Sequence, residues 1–267
     1  MSRQSDFNAT AQAYHQAQVD ISASLLERVA SWWRGLSPQR AAEGSSAVVR
    51  EFQALVSSSR SRSYAEGAKF HNAAREVATG EPAPESIWGD RDLSTEAGQS
   101  RTAFYVHTAP VRAEVKRGRL DDPEFLALLD DVMSSAGKNL ADDAGRLAEM
   151  GGRDALADAR ENDPEVIGYY RKTDADPCGF CAMLAARGAA YTETRNASRS
   201  TRAFVSEEDP DQYHRNCHCQ TLPLFRGVSM PPEDAAKRAE YLARWNATDG
   251  SGAEQLRNFQ RDFNAER

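Results

Sequence analysis

All four cysteines of this chain, Cys178, Cys181, Cys217 and Cys219, lie between positions 178 and 219 and form two close pairs. The first pair sits in Asp176-Pro177-Cys178-Gly179-Phe180-Cys181, the second in Tyr213-His214-Arg215-Asn216-Cys217-His218-Cys219. Two thiolates a turn apart with glycine between them form a knuckle whose backbone amides can face the sulfurs. Zinc takes four nitrogen or sulfur donors in a tetrahedron, and one further pair from a distant loop would complete it. Five residues compete for four places: Cys178, Cys181, His214, Cys217 and Cys219. One ligand set is the four cysteines. The other exchanges a member of the Cys-x-Cys pair for His214, and it is the preferred one, because a histidine three before a cysteine reaches a common point on a turn. His218, between two cysteines, is expected to point away. Either set closes the tetrahedron with protein ligands, so the expected zinc is structural and leaves no position for catalysis.

Competing uses of the same residues are weaker. A disulfide framework would scatter its cysteines and accompany an export signal, whereas the first ten residues are polar and carry no apolar signal core. Core packing alone would not cluster thiols in two close pairs. Pro177-Cys178-x-x-Cys181 matches half of the zinc deaminase signature, but the other half, His-x-Glu, is missing: His71 is followed by Asn72-Ala73 and His107 by Thr108-Ala109. A thioredoxin-like redox role needs a βαβ context, and a helical region stands upstream instead. His15, His71 and His107 assemble no evident nuclease centre. No catalytic residue, organic cofactor or small-molecule substrate is expected.

The 33 basic residues, mostly arginine, are outnumbered by 40 acidic ones, giving a formal charge of -7. That balance argues against coating nucleic acid over the whole surface, although local contacts remain open. Arg195, Arg199 and Arg202 could touch phosphates, but with an acidic total charge a solvated arginine-bearing loop is the favoured reading. Glu207, Glu208 and Asp209 read as a hydrated turn before Pro210. Mean hydropathy is -0.67, and no stretch approaches the length of a membrane span.

The elements that must position the thiols read as follows. Amphipathic spacing predicts a helix over 11–36, a second from Ala47 interrupted by the serine-rich 57–63 and resuming to Val77, and a linker over 79–92. Of Trp32 and Trp33, one is expected in the core and the other partly exposed. A third helix over 97–117 contains Pro110, expected to kink or split it. A fourth, capped by Asp122 with Pro123 in its first turn, is expected to stop at Gly151-Gly152, followed by a short helix over 154–160. Beyond Pro164 the pattern changes: strands over 165–172, 190–192, 203–205 and 220–225, a helix from Cys178 ending at Gly188, and helices over 233–245 and 253–264. The fold class is therefore mainly α with a small α+β zinc-binding module. A helical N-terminal region (1–163) precedes a Cys/His-clamped module (164–226) and a helical C-terminal tail (227–267).

Cys178-Gly-Phe-Cys181-Ala-Met-Leu-Ala-Ala-Arg187-Gly188-Ala-Ala-Tyr191, Tyr213-His214-Arg-Asn-Cys217-His-Cys219 and Pro223-Leu-Phe225 together resemble the phage Mu F-like minor head proteins, in the form found in tailed phages of actinobacteria. The resemblance covers roughly 163–226, and the helices before it in layout only. It implies a minor capsid or head morphogenesis protein inside the virion head, made in the host cytoplasm, with portal, capsid or scaffold proteins as partners. It also implies a part in head assembly and in DNA packaging or ejection. The family's Cys and His positions carry over to Cys178, Cys181, His214, Cys217 and Cys219. Some family members carry fused toxin or protease domains; about 40 residues follow Phe225 here, too few for one. A toxin-like or nuclease enzyme and a zinc-dependent DNA-binding module are the alternatives.

Overall fold

The computed structural model describes residues 2–118, 123–189 and 217–266. Over these residues it is mainly helical, as the sequence predicts, and carries one two-stranded sheet. The elements are α1 (Arg3–Arg34), α2 (Pro38–Glu43), α3 (Ser46–Thr79), a 3-10 turn (Glu85–Ile87), α4 (Leu93–Arg117), α5 (Pro123–Asn162), β1 (Val166–Lys172), α6 (Gly179–Ala186), β2 (Gln220–Phe225), α7 (Pro232–Ala247) and α8 (Gly252–Ala265). None of the described helices is long and apolar enough to cross a membrane. The strands expected over 190–192 and 203–205, and the Asp122 cap, lie outside the described residues.

By contact the chain forms two compact units. One, here the thiol unit, comprises Met1–Gln16, Glu66–Gly89 and Arg153–Arg267; the other, the helical unit, comprises Ala17–Ala65 and Asp90–Gly152. Both draw on separated stretches of chain, whereas the boundary near 163 divides it into consecutive segments.

The core of the helical unit is built on helical periodicity. Ile21, Leu25, Val29 and Trp33 of α1 meet Val48, Phe52 and Val56 of α3, Phe104 and Val111 of α4, and Leu140, Ala144 and Leu147 of α5. Trp33 is buried and its Nε1–H donates to the Met133 carbonyl at 2.9 Å, while Trp32 is half-buried and donates to Glu51. Three expected interruptions do not occur, and α2 is an addition to the expected set. The serine-rich stretch stays inside α3 because Ser63 is fully buried and satisfied: its hydroxyl donates to Gln18 at 2.5 Å and accepts the Gly152 N–H at 2.7 Å. Gly151 and Gly152 do not end α5; Gly151 lets it approach α3, and Gly152 donates its N–H across the contact. A Cβ on Gly151 would meet the Arg60 carbonyl carbon at 3.0 Å and its oxygen closer still. Pro110 leaves α4 unbroken because it and Val106, whose carbonyl loses its donor, both sit on the exposed face. Helix α2 is set by local signals: the Ser37 side chain accepts the Arg40 N–H, Pro38 opens the first turn, and Gly44 closes it at φ 54°.

In the thiol unit, β1 and β2 pair antiparallel from Val166↔Phe225 to Lys172↔Gln220, with an irregularity between Val166 and Gly168. Alternation sends neighbouring tyrosines of β1 into different apolar clusters. Tyr170 joins Phe7, Tyr14, Phe70, Ala74 and Phe225; Tyr169 joins α6 with Tyr241 of α7 and Leu256, Phe259 and Phe263 of α8. A strand covered on both faces reads as the nearly continuous apolar run seen here. The turn into β1 is fixed by buried Asp163, which accepts from His71 Nε2 at 2.8 Å, from Arg75 and from the Glu165 N–H. The ladder's end at Lys172 and Gln220 places both cysteine-bearing segments at one end of the sheet.

Candidate metal centre

Helix α6 starts on the first cysteine pair. Cys178 is its N-cap in extended conformation, and Cys181 stands one turn in, so both side chains leave the same helix end. Gly179 between them is required by packing: a Cβ there would meet the Gln260 Cα of α8 at 2.8 Å. The Gly179 N–H donates to Asn264 Oδ1 at 2.9 Å, so the last helix rests directly on the knuckle. The second pair, Cys217 and Cys219, immediately precedes β2 and is held through its backbone. Arg153 of α5 donates to the carbonyls of Cys217 and Cys219 at 2.8 and 3.1 Å, and Asp174 accepts the His218 N–H at 3.1 Å.

These supports bring three buried thiols together. The sulfurs of Cys181, Cys217 and Cys219 all lie within 4.8 Å of one another, and Cys181 Sγ and Cys217 Sγ are 3.6 Å apart. A zinc tetrahedron with Zn–S bonds of about 2.3 Å has edges of about 3.8 Å, so this spacing suits an ion with little adjustment. All four cysteines are free thiols, and half-buried Cys178 packs against this cluster while lying outside the three-sulfur group itself. Among the described residues no other group of three or more His, Cys, Asp or Glu side chains is close enough to hold a metal, and His218 is not part of this one. His214 lies outside the described residues. Arg195, Arg199, Arg202, Glu207, Glu208 and Asp209 do too.

The electrostatics favour thiolates at the helix end. A hydrogen bond with Cys181, opposed by burial and aided by backbone N–H groups, lowers the Cys178 thiol to about 7. At Cys181 the bond with Cys178 raises the value, but bonds from Cys217 and Cys219 and the Arg171 charge bring it down to about 5. Burial pushes Cys219 well up. One sulfur of the cluster thus takes the first negative charge and its neighbours share their protons with it. The histidines outside the cluster make separate arrangements: His71 pairs with Asp163, and His107 pairs with Asp143 within the helical unit.

The sequence profile described as VG15 protein matches residues 6–248. The chain belongs to the VG15 protein family. It is similar to the Gene 15 protein of Mycobacterium phage D29, 32% identical over 119 residues that cover 36% of this chain and 43% of that protein. It is also similar to the Gene 15 protein of Mycobacterium phage L5, 29% identical over 142 residues that cover 42% of this chain and 48% of that protein. The VG15 chain thus spans less than half the length of these curated relatives. No solved structure matches it. The phage affiliation implied by the sequence resemblance holds at this level.

Sequence reasoning missed the residues that hold the VG15 thiols in place. Arg153 follows the two glycines of α5 and carries no local signal. Arg171 lies in an apolar strand, where a basic residue with burial on both faces was the available clue. His15, outside the three-sulfur group, also has a consequence. Burial, then the Lys172 charge, lowers its imidazole to about 4; Asp174 opposes this, and His218 and Lys237 add to it. An unfolded histidine takes its proton near 6.5, so the unfolded chain is protonated first. Stability from this source is complete above pH 6.5, falls as the pH drops from 6.5 to about 4, and then levels off. The expected loss is about 2 kcal/mol at pH 5. Denaturant midpoints at pH 7 and pH 5 for the natural chain and for His15→Gln isolate it: the variant should show the shallower pH dependence, and parallel slopes would refute the assignment.

Proposed function

We propose that this VG15-family protein is a minor capsid or head morphogenesis protein of the Mu F-like kind, held together by structural zinc and performing no catalysis. The observation that carries the proposal is the gathering of buried thiols on two rigid supports in a chain whose relatives are phage gene products. The zinc ligands come from Cys178, Cys181, His214, Cys217 and Cys219; four of them fill the tetrahedron and leave the ion no site for substrate. Zinc suits the donors because soft thiolates select it over magnesium, calcium or manganese. Bound zinc supplies folding free energy, and the chain's own residues supply the rest: Arg153 and Asp174 fix the backbone of the second pair, and α8 packs on the first.

The long helices would carry the contacts with portal, capsid or scaffold protein, placing the molecule in the host cytoplasm during assembly and inside the head afterwards. Any DNA contact would be weak and local, given the charge of -7. Purified virions of a phage encoding this protein provide the test. The protein should be detected by mass spectrometry in intact particles, resist added protease until heads are opened, and crosslink to portal or capsid protein. Absence from particles, or hydrolysis of a nucleic acid by the purified zinc-loaded chain that is lost in a Cys217 variant, would overturn the reading.

A further inference from the structure

We infer that the metal centre is a tetrathiolate of Cys178, Cys181, Cys217 and Cys219, and that Arg171 is the positioning residue whose buried charge offsets it. The inference rests on the zinc reading above and deepens it by choosing the fourth ligand and the group that holds the centre's charge.

The choice of Cys178 follows from how the described supports aim the sulfurs. Cys181, Cys217 and Cys219 already sit within 4.8 Å of one another, with the Cys181–Cys217 edge at 3.6 Å close to the tetrahedral value. Cys178 leaves the same helix end as Cys181, touches the cluster, and has one side toward solvent, so it can move onto an incoming ion without disturbing the core. Four sulfurs at the start of α6 and on the segment leading into β2 close the tetrahedron with no donor from any other element.

Four thiolates around a divalent cation leave a net charge of -2, and three of those sulfurs are buried. Arg171 meets that charge. Its side chain is buried, and its Nη2 donates to Cys181 Sγ at 3.2 Å while Nη1 donates to Thr221 of the facing strand at 3.5 Å. The neighbouring buried cation cannot take this part, since Lys172 is bound to Asp234 at 3.0 Å and Glu233 at 2.9 Å. The Asp174 N–H adds a second donor, to Cys219 Sγ at 3.5 Å. Donors to the sulfurs lower the charge that the site must hold in a dry environment, and such outer partners commonly control metal affinity by about 10–100-fold.

Cobalt substitution of the reduced full-length chain tests both parts, because the sulfur-to-cobalt charge-transfer absorption scales with the number of thiolates. His214→Ala should keep the metal stoichiometry and the spectrum, whereas Cys178→Ser should lose about a quarter of the charge-transfer intensity. Arg171→Met should keep the spectral shape but lose zinc to a competing chelator at about 10–100-fold lower chelator concentration, and Arg171→Lys should restore part of the retention. Should Arg171→Met fail to fold, Arg171→Lys against the natural chain gives the same comparison at smaller amplitude. A spectrum altered in His214→Ala and intact in Cys178→Ser would make His214 the fourth ligand and overturn the tetrathiolate. Equal zinc retention in all Arg171 variants would overturn the positioning role. Failure of the natural chain to bind zinc or cobalt would instead overturn the zinc reading itself, a distinct result.

Discussion

Cys181→Ser should reduce zinc from about one ion per chain to a trace and unfold the thiol unit around α6. Cys181 is fully buried, sits 3.6 Å from Cys217 Sγ, and receives the Arg171 guanidinium, so its sulfur lies at the centre of the arrangement. Serine offers a harder, protonated oxygen that binds zinc poorly, and no neighbouring thiol is free to replace it. Structural zinc contributes about 10–16 kcal/mol of apparent binding free energy in small zinc peptides. A whole domain has a net stability of only about 5–15 kcal/mol. The loss is therefore large enough to decide whether the unit folds. Elemental analysis and thermal melts with and without chelator provide the measurement. The natural chain should melt lower in chelator, and the variant should melt low in both conditions. A variant with normal zinc content and an unchanged melt would show that the cluster holds no structural ion. The core of the helical unit contains none of the four cysteines, so most far-ultraviolet helical signal should survive.

Gly151→Val should cost the helical unit about 3 kcal/mol or more. The new Cβ would run into the main chain of Arg60, which no rotamer change can move aside. Either α5 and α3 separate or the local helix distorts, and Ser63, which holds the Gly152 N–H, loses its geometry with them. Gly98→Ala is the matched control. Gly98 is an exposed glycine inside α4 with nothing within 4 Å of its missing Cβ. There the substitution should stabilise by about 0.5–1 kcal/mol, because alanine loses less backbone freedom on folding. Denaturant titrations of both variants give the comparison; equal effects of either sign would refute the close approach of α5 to α3.

That pair of glycines also shows why the sequence was only partly readable. Elements whose signals are local were visible in one dimension: the extent of β2, the start of α6 on Cys178, its end before Gly188, and the two last helices. Gly151, Gly152 and the serines of α3 looked like interruptions because small residues weaken an isolated helix. In the folded chain the same smallness lets two helices touch, and the hydroxyl of Ser63 is satisfied across the contact. Propensity was overridden by tertiary packing. At the metal centre the sulfur pairs were legible from type and spacing, but their supports were not. Arg153 reaches backbone carbonyls more than sixty residues away, and Arg171 reads as an ordinary strand residue until the fold brings Cys181 beside it.

Because α8 lies on the glycine between the first two thiols, the order of synthesis acquires a meaning. The ribosome finishes the last cysteine some 44 residues before it makes Phe263. At roughly 5–20 residues per second that is an interval of seconds. During it the nascent chain carries all its sulfur ligands without the helix that rests on Gly179, so captured zinc would steady the knuckle before α8 can. A ribosome that stalls in that interval leaves a product that chelators and oxidants can tell from the finished one.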